Sequence, residues 1–86
     1  MTRTEISERL QRYIVEELLD GDGRDLTPTT PLLQWGLLDS IGIVSLLSFI
    51  DDNLGVEVPD DAVRPENFET LEKLSLMLDD IVRKAA

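Results

Sequence analysis

The stretch that decides the fold is "GLLDSIGIVSLL", residues 36–47, in which an acidic and a hydroxyl side chain interrupt an apolar run. Apolar residues recur at helical spacing after Ser40, which predicts a helix from that residue to about Leu54. Gly55 is predicted to end this helix, because glycine is favoured just past a helix C-terminus. The apolar face of the helix comprises Ile43, Leu46, Leu47, Ile50 and Leu54.

The position of Ser40 at the start of this helix allows two roles. Serine and aspartate are favoured N-cap residues because their side-chain oxygens accept hydrogen bonds from first-turn amides, so Ser40 could simply cap the helix. A helix N-terminus also favours anions, and a serine there could carry a phosphate-linked group. The chain has no histidine, and no GxSxG motif surrounds Ser40. Another enzyme would therefore have to activate the hydroxyl.

A first helix is predicted upstream, where apolar residues again recur at helical spacing and Thr2 or Thr4 could be the N-cap. Its apolar residues are Ile6, Leu10, Tyr13, Ile14 and Leu18. The motif "DGDG", residues 20–23, is predicted to end the helix. A long polar connection to Gly36 follows, in which Thr30 and Pro31 predict a short helical turn.

The downstream segment predicts an extended connection and then more helix. "GVEVPDD", residues 55–61, alternates like a strand but has no partner strand, so we interpret it as an extended connection. "PDDAVRPENF", residues 59–68, can hold one or two helical turns because Pro65 interrupts it, and Phe68 is predicted to anchor this segment to the core. Thr70 is predicted to cap a last helix whose apolar face comprises Leu71, Leu74, Leu78, Ile81 and Val82.

These elements predict an all-α fold, a small helical bundle with three main helices, a short third helix and a long first loop. The apolar stripes of the helices would meet in one core. The 86 residues are enough for one small domain, which we expect to span residues 1–86.

Composition excludes several classes of function. The chain has no cysteine and no histidine, so it has no thiol nucleophile and lacks the commonest metal ligands; we expect no metal site. Its formal net charge of -10 disfavours nucleic acid and anionic membranes, and it favours partners with basic surfaces. No run is long enough to span a bilayer, and the N-terminus lacks a signal-peptide core. We therefore expect a cytoplasmic monomer.

The stretch "GLLDSIGIVSLL" resembles the phosphopantetheine attachment motif of acyl and peptidyl carrier proteins. The resemblance covers nearly the whole chain, because the length, the acidity and the order of helices also match. It implies that Ser40 carries a covalent 4′-phosphopantetheine arm derived from coenzyme A. It also implies that Asp39 helps to position the phosphate region of the arm or its magnesium-dependent transferase.

A carrier of this kind is not an enzyme, because the terminal thiol of the arm holds an acyl or aminoacyl thioester for partner enzymes. The resemblance implies three kinds of partner: a phosphopantetheinyl transferase, an acyl- or aminoacyl-activating ligase, and a downstream transferase, synthase or oxidase. The segment "PENFET", residues 65–70, resembles small free-standing carriers of natural-product pathways, polyketide or nonribosomal peptide. Two alternatives remain open: a D-alanyl carrier for cell-wall polymers, and a helical interaction module that carries nothing.

Acidic residues dominate the middle of the chain. Residues 25–63 contain seven acids and neither lysine nor arginine. The simplest interpretation is a solvated rim that keeps the protein soluble. The functional interpretation, which we prefer, is a docking surface for basic patches on partner enzymes. Its proposed members are Asp51, Asp52, Asp60 and Asp61.

Apolar residues near Ser40 are also candidates for partner contact. Where fatty-acid carriers often have acids early in the second helix, this chain has small residues, so recognition would depend on Ile41 and Val44. Either side chain could instead be partly buried. Trp35, the only tryptophan, is predicted to be a packing residue, with contact to the arm or to a partner as the alternative.

Overall fold

The first helix, α1, spans Arg3–Leu18 in the computed structural model, which describes residues 2–24 and 26–85. Thr2 is its N-cap, and the Thr2 hydroxyl accepts a hydrogen bond of 3.2 Å from the Glu5 amide. Of the two predicted caps, Thr2 is therefore correct and Thr4 is wrong. The "DGDG" motif ends the helix as predicted, because Asp20 and Gly21 both adopt positive φ angles, 52° and 85°.

The second helix, α2, spans Ser40–Phe49 and continues into a π-helical turn at Ile50–Leu54. Gly55 ends it with φ 66°, and the Gly55 amide donates to the Ile50 carbonyl. The predicted bounds are confirmed, with a last turn wider than an α-helix. This wider turn keeps Ile50 and Leu54 both buried.

The predicted short third helix consists of two separate 3₁₀ turns, Asp60–Ala62 and Pro65–Asn67. Pro65 separates them because its ring cannot continue a helix from the preceding turn. The last helix, α3, spans Leu71–Ala85, and the Thr70 hydroxyl caps it by accepting from the Lys73 amide at 3.1 Å.

The three helices bury one apolar cluster, and no strand forms within residues 2–24 and 26–85. The all-α fold predicted from the sequence is confirmed. α1 and α3 pack against each other, while Phe68 is fully buried and anchors the 3₁₀ segment as predicted. The fully buried side chains are Ile6, Leu10, Ile14, Leu32, Leu38, Leu46, Ile50, Phe68, Leu71, Leu74 and Leu78.

Candidate functional site

Asp39 caps the helix that begins at Ser40. Its backbone is extended, and its Oδ1 accepts a hydrogen bond of 2.7 Å from the Gly42 amide. The Asp39 carbonyl accepts from the Ile43 amide at 2.8 Å, which is the first helical hydrogen bond. The cap is thus the residue before Ser40, and the interpretation of Ser40 as the N-cap is wrong.

Ser40 is the first residue inside α2 and is exposed to solvent. Since Asp39 already caps the helix, the Ser40 hydroxyl is not needed for that task. Within the part of the chain that the structure describes, no hydrogen bond involves this hydroxyl, and none is donated by the backbone amides of Ser40 and Ile41. An exposed hydroxyl thus lies beside two free amides at the positive end of a helix dipole.

Gly42 allows the cap to approach the helix closely. A Cβ atom built at Gly42 would lie 3.2 Å from Asp39 Oδ1 and 3.2 Å from Leu38 Cδ1. Those distances are tighter than ordinary van der Waals contact. The absence of a side chain at Gly42 therefore leaves room for the Asp39 carboxylate and for the buried Leu38.

Backbone hydrogen bonds hold the loop before Ser40 in place. The Leu32 carbonyl accepts from the amides of Leu37 and Leu38, at 2.9 and 3.1 Å. The Leu32 amide in turn donates to the Glu69 carbonyl at 2.7 Å, just before α3. Because Leu32 and Leu38 are also buried, the start of α2 is fixed to the core and to the start of α3.

Three large apolar side chains near Ser40 face the solvent. Ile41 is 79% exposed and Val44 is 63% exposed; they lie three residues apart on one side of α2. Trp35 is 60% exposed, so its prediction as a packing residue is wrong. The helical turn before Gly36 (φ 73°) forms as predicted, but Leu32 and Leu38 fill the core positions on either side of Trp35.

The four proposed docking acids are all exposed: Asp51, Asp52, Asp60 and Asp61. Among residues 2–24 and 26–85, none of their carboxylates forms an ion pair. Arg64 lies beside them, since its Nε donates to the Asp61 carbonyl at 2.8 Å. Asp25, which begins the stretch without basic residues, lies outside the described residues.

The described residues contain no group of three or more acidic, histidine or cysteine side chains that could hold a metal ion. Nor do they include a helix long and apolar enough to cross a membrane. The chemical possibilities at Ser40 are therefore those of an exposed hydroxyl at a helix N-terminus. A phosphodiester bonded to that oxygen would lie against the free amides of Ser40 and Ile41.

Three residues of this site are not predicted from the sequence. Leu32, Leu38 and Gly42 fix the cap, yet nothing in their spacing reveals it, because leucines in a loop and a glycine in a helix have many explanations. The sequence signal that could have identified Gly42 is its position three residues after Asp39. The Gly42 amide is one of the two first-turn amides that the side chain of a cap at Asp39 can reach.

A model of one protein family, the phosphopantetheine attachment site, matches residues 4–78. The chain belongs to this family. It is thus a carrier-type protein, and 4′-phosphopantetheine, held covalently, is its cofactor. The exposed hydroxyl and free amides at the start of α2 lie within the matched span and suit a phosphodiester.

Two known proteins show the similarity more specifically. The chain is 28% identical over 69 residues to the probable acyl carrier protein PigG of Serratia sp. (strain ATCC 39006), covering 80% of this chain and 79% of PigG. It also matches a chain in a solved structure described as "Crystal structure of FAD-dependent dehydrogenase", with 39% identity and a TM-score of 0.73. That match covers 80% of this chain and 97% of the other.

Proposed function

We propose that this carrier holds its arm on Ser40 and that it presents a short acyl or aminoacyl thioester to the enzymes of a natural-product pathway. The observation that supports Ser40 most directly is its exposed hydroxyl at the first position of α2, beside two amides that have no partner among the described residues. Asp39 already caps that helix, so Ser40 is free to be modified without loss of the cap.

Asp39 and the helix N-terminus would hold the phosphate end of the arm. The amides of Ser40 and Ile41 lie in the first turn of α2, where they could donate to a phosphodiester on Ser40 Oγ. Asp39 Oδ1 is occupied by the Gly42 amide. Its second carboxylate oxygen is left to contact the transferase or the magnesium ion that the transferase uses. The arm supplies the thiol that the sequence lacks.

The protein would not catalyse reactions on its cargo. The sequence contains neither the histidine nor the cysteine that nucleophilic and general-base catalysis most often use. The Ser40 hydroxyl would lose its proton to a base of the transferase as its oxygen bonds to the phosphorus of the incoming group. The rest of coenzyme A would leave as adenosine 3′,5′-bisphosphate.

Partner enzymes would dock through apolar and acidic contacts around Ser40. Ile41 and Val44 form an exposed apolar pair on α2, close to the attachment point. Burial of such a pair against an apolar surface contributes roughly 25 cal/mol per Å² of area removed from water. The four docking acids would steer basic enzyme surfaces towards this region, because their carboxylates are exposed and unpaired in the described part of the chain.

We infer that one partner is an FAD-dependent dehydrogenase, an oxidoreductase. The solved structure described in those words contains a chain of which 97% is covered by this small protein. Such a chain is too short to hold a dinucleotide-binding domain of its own. A short chain of this kind is what a structure of a flavoenzyme together with its carrier would contain. The thioester-bound group would lose two hydrogens, a proton and a hydride, and the FAD of the partner would be reduced.

The cargo is proposed to be short. Leu46, Ile50, Leu74 and Leu78 fill the centre of the bundle and are fully buried. A long acyl chain would have to displace them, whereas a short or polar group can remain outside the core and keep its hydration. The domain is proposed to span residues 1–86, and its cytoplasmic location and monomeric, free-standing state stay predictions.

The test is the intact mass of the protein after incubation with coenzyme A and a broad phosphopantetheinyl transferase. We expect a gain of one phosphopantetheine group, followed by a second gain when a matching ligase and acid are added. A panel of amino-acid ligases, D-alanine ligase included, then separates a natural-product carrier from a D-alanyl carrier. No gain of mass in the first step would favour the non-carrying interaction module.

A further inference from the structure

A groove beside the attachment site has no role in the proposed docking or capping. It has a volume of about 290 Å³ and is lined by Leu19, Asp22, Leu26, Thr30, Trp35 and Leu37. Three leucines form its base, of which Leu26 is buried and Leu19 and Leu37 are partly buried. The indole of Trp35 forms an exposed wall. The groove is thus mainly apolar and open to solvent.

Asp22 is a charged residue in the lining of the groove, and it forms an ion pair with Arg24. Asp22 accepts two hydrogen bonds from the Arg24 side chain, at 3.0 and 2.9 Å, and one from the Arg24 backbone amide. The guanidinium lowers the pKa of the Asp22 carboxyl, which therefore stays ionised and paired. A ligand in the groove would meet an aromatic face and leucine side chains, with the Asp22–Arg24 pair at the rim.

The arm on Ser40 is long enough to reach this groove. Leu37 and Ser40 are three positions apart in the sequence, so their Cα atoms lie at most about 11 Å apart. The arm contains about fourteen bonds between the serine oxygen and the sulfur. If each bond adds as much length as a bond of an extended polypeptide backbone, the arm extends roughly 16 Å. The thioester and its cargo can therefore lie against Trp35 without entering the helical core.

We propose that the groove formed by Leu19, Leu26, Trp35 and Leu37 is a resting site for the short acyl or aminoacyl group on the arm. This inference rests on the proposed attachment at Ser40. The volume is at the lower end of the range for small-molecule sites, about 300–1,000 Å³, so it suits a short group or a single ring. Trp35 would contact the cargo through its ring face.

Tethering makes even a weak site effective. A short flexible tether gives an effective concentration in the millimolar range, so a site with a Kd of about 1 mM is roughly half occupied. The cargo therefore exchanges rapidly between the groove and solvent. It is protected while it rests there, and it remains available when a partner enzyme docks at Ile41 and Val44.

Trp35 is the only tryptophan, so its fluorescence tests this inference directly. The protein is loaded with a short acyl group through a stable amide analogue of the thioester, and the mass confirms complete loading. We expect acrylamide to quench Trp35 about two-fold less in the loaded protein than in the protein with a bare arm, which corresponds to half occupancy. Unchanged quenching at full loading would contradict the role of the groove as a resting site, and it would leave the proposed attachment at Ser40 intact.

NMR spectra of the same wild-type samples locate the cargo. The Trp35 indole N–H and the Leu26 and Leu37 amides should shift on loading, while the core amides of Leu46 and Leu74 should not. Large shifts in the core without shifts at Trp35 would overturn the inference. Failure of the mass to increase at all would overturn the proposed function, and the groove with it.

Two variants complete the test by measuring how fast hydroxylamine cleaves the loaded thioester. Trp35→Ala removes the wall of the groove, and we expect cleavage to become up to about two-fold faster, because a half-occupied site protects about half of the thioester. Leu76→Ala is the control, because Leu76 is also a large exposed side chain (42%) but lies on α3 outside the groove. Equal rates for the two variants would contradict the proposal.

Discussion

Asp39 Oδ1 and the Gly42 amide lie 2.7 Å apart, which makes Asp39 the cap of the helix that begins at Ser40. The first prediction follows from this division of roles between adjacent residues. Asp39→Ala should lower the free energy of unfolding by about 1 kcal/mol, since it removes the cap. Ser40→Ala should change stability little, because the Ser40 hydroxyl has no role in the cap. Urea denaturation of both variants measures the difference, and equal losses would contradict it.

The second prediction concerns the docking acids. Changing Asp51, Asp52, Asp60 and Asp61 to Asn should slow loading by partner enzymes, mainly through the association rate. The effect should shrink as salt is added, since the screening length falls to about 8 Å at physiological ionic strength. The measurement is the loading rate at low and at physiological salt.

The matched control for the docking acids changes four other exposed acids to Gln: Glu8, Glu16, Glu17 and Glu72. It alters the net charge by the same amount but leaves the docking surface intact. If loading is slowed equally in the two variants, net charge matters and the location of the acids does not.

The third prediction concerns Tyr13, the only tyrosine, whose ring centroid lies 4.5 Å from that of Phe49. Burial raises the pKa of Tyr13, and the Glu17 carboxylate raises it further. The fold thus favours the neutral phenol. This contribution to stability is fully present below pH 10 and is lost as pH rises through the raised pKa.

Ultraviolet absorbance of the phenolate measures the Tyr13 titration, with circular dichroism at each pH as the control for unfolding. We expect a midpoint above the ordinary value of 10.0, and Glu17→Gln should lower it. A midpoint at or below the ordinary value in the folded protein would disagree with the packing of Tyr13 on Phe49.

The fourth prediction concerns Ser75, a buried residue of α3 whose hydroxyl has no hydrogen-bond partner among the described residues. Ser75→Ala should raise the free energy of unfolding by about 1 kcal/mol, because it removes an unsatisfied polar group and alanine favours helix. Ser48→Ala, at an exposed position of α2, controls for helix propensity alone and should give a smaller gain. A loss of stability in Ser75→Ala would indicate that the hydroxyl is satisfied in solution.

Periodicity predicted all three helices because each buries one face. Ile6, Leu10 and Ile14 recur at helical spacing and are buried, so spacing alone was sufficient. The π-helical turn at Ile50–Leu54 was not predictable, because a single extra residue per turn leaves no distinct pattern in five residues. Burial of Ser75 also escaped prediction, since it depends on the packing of α1 against α3.

The local roles around Ser40 could be predicted only in part. Asp39 and Ser40 are equally good caps by residue type, so the sequence could not distinguish the cap from the first helical residue. Trp35 was wrongly expected to be buried because tryptophan usually is. Its exposure depends on the path of a long loop, whose hydrogen bonds to the Glu69 carbonyl and the Glu72 amide involve the backbone and leave no sequence signal.

The most direct test of the central claim compares Ser40→Ala with Ser45→Ala after incubation with coenzyme A and phosphopantetheinyl transferase. Both serines are exposed on the same helix, so the pair isolates position from residue type. Intact mass spectrometry should show that Ser45→Ala gains one phosphopantetheine group, as the wild type does, and that Ser40→Ala gains none. Modification of Ser40→Ala, or its absence in Ser45→Ala and the wild type alike, would contradict attachment at Ser40.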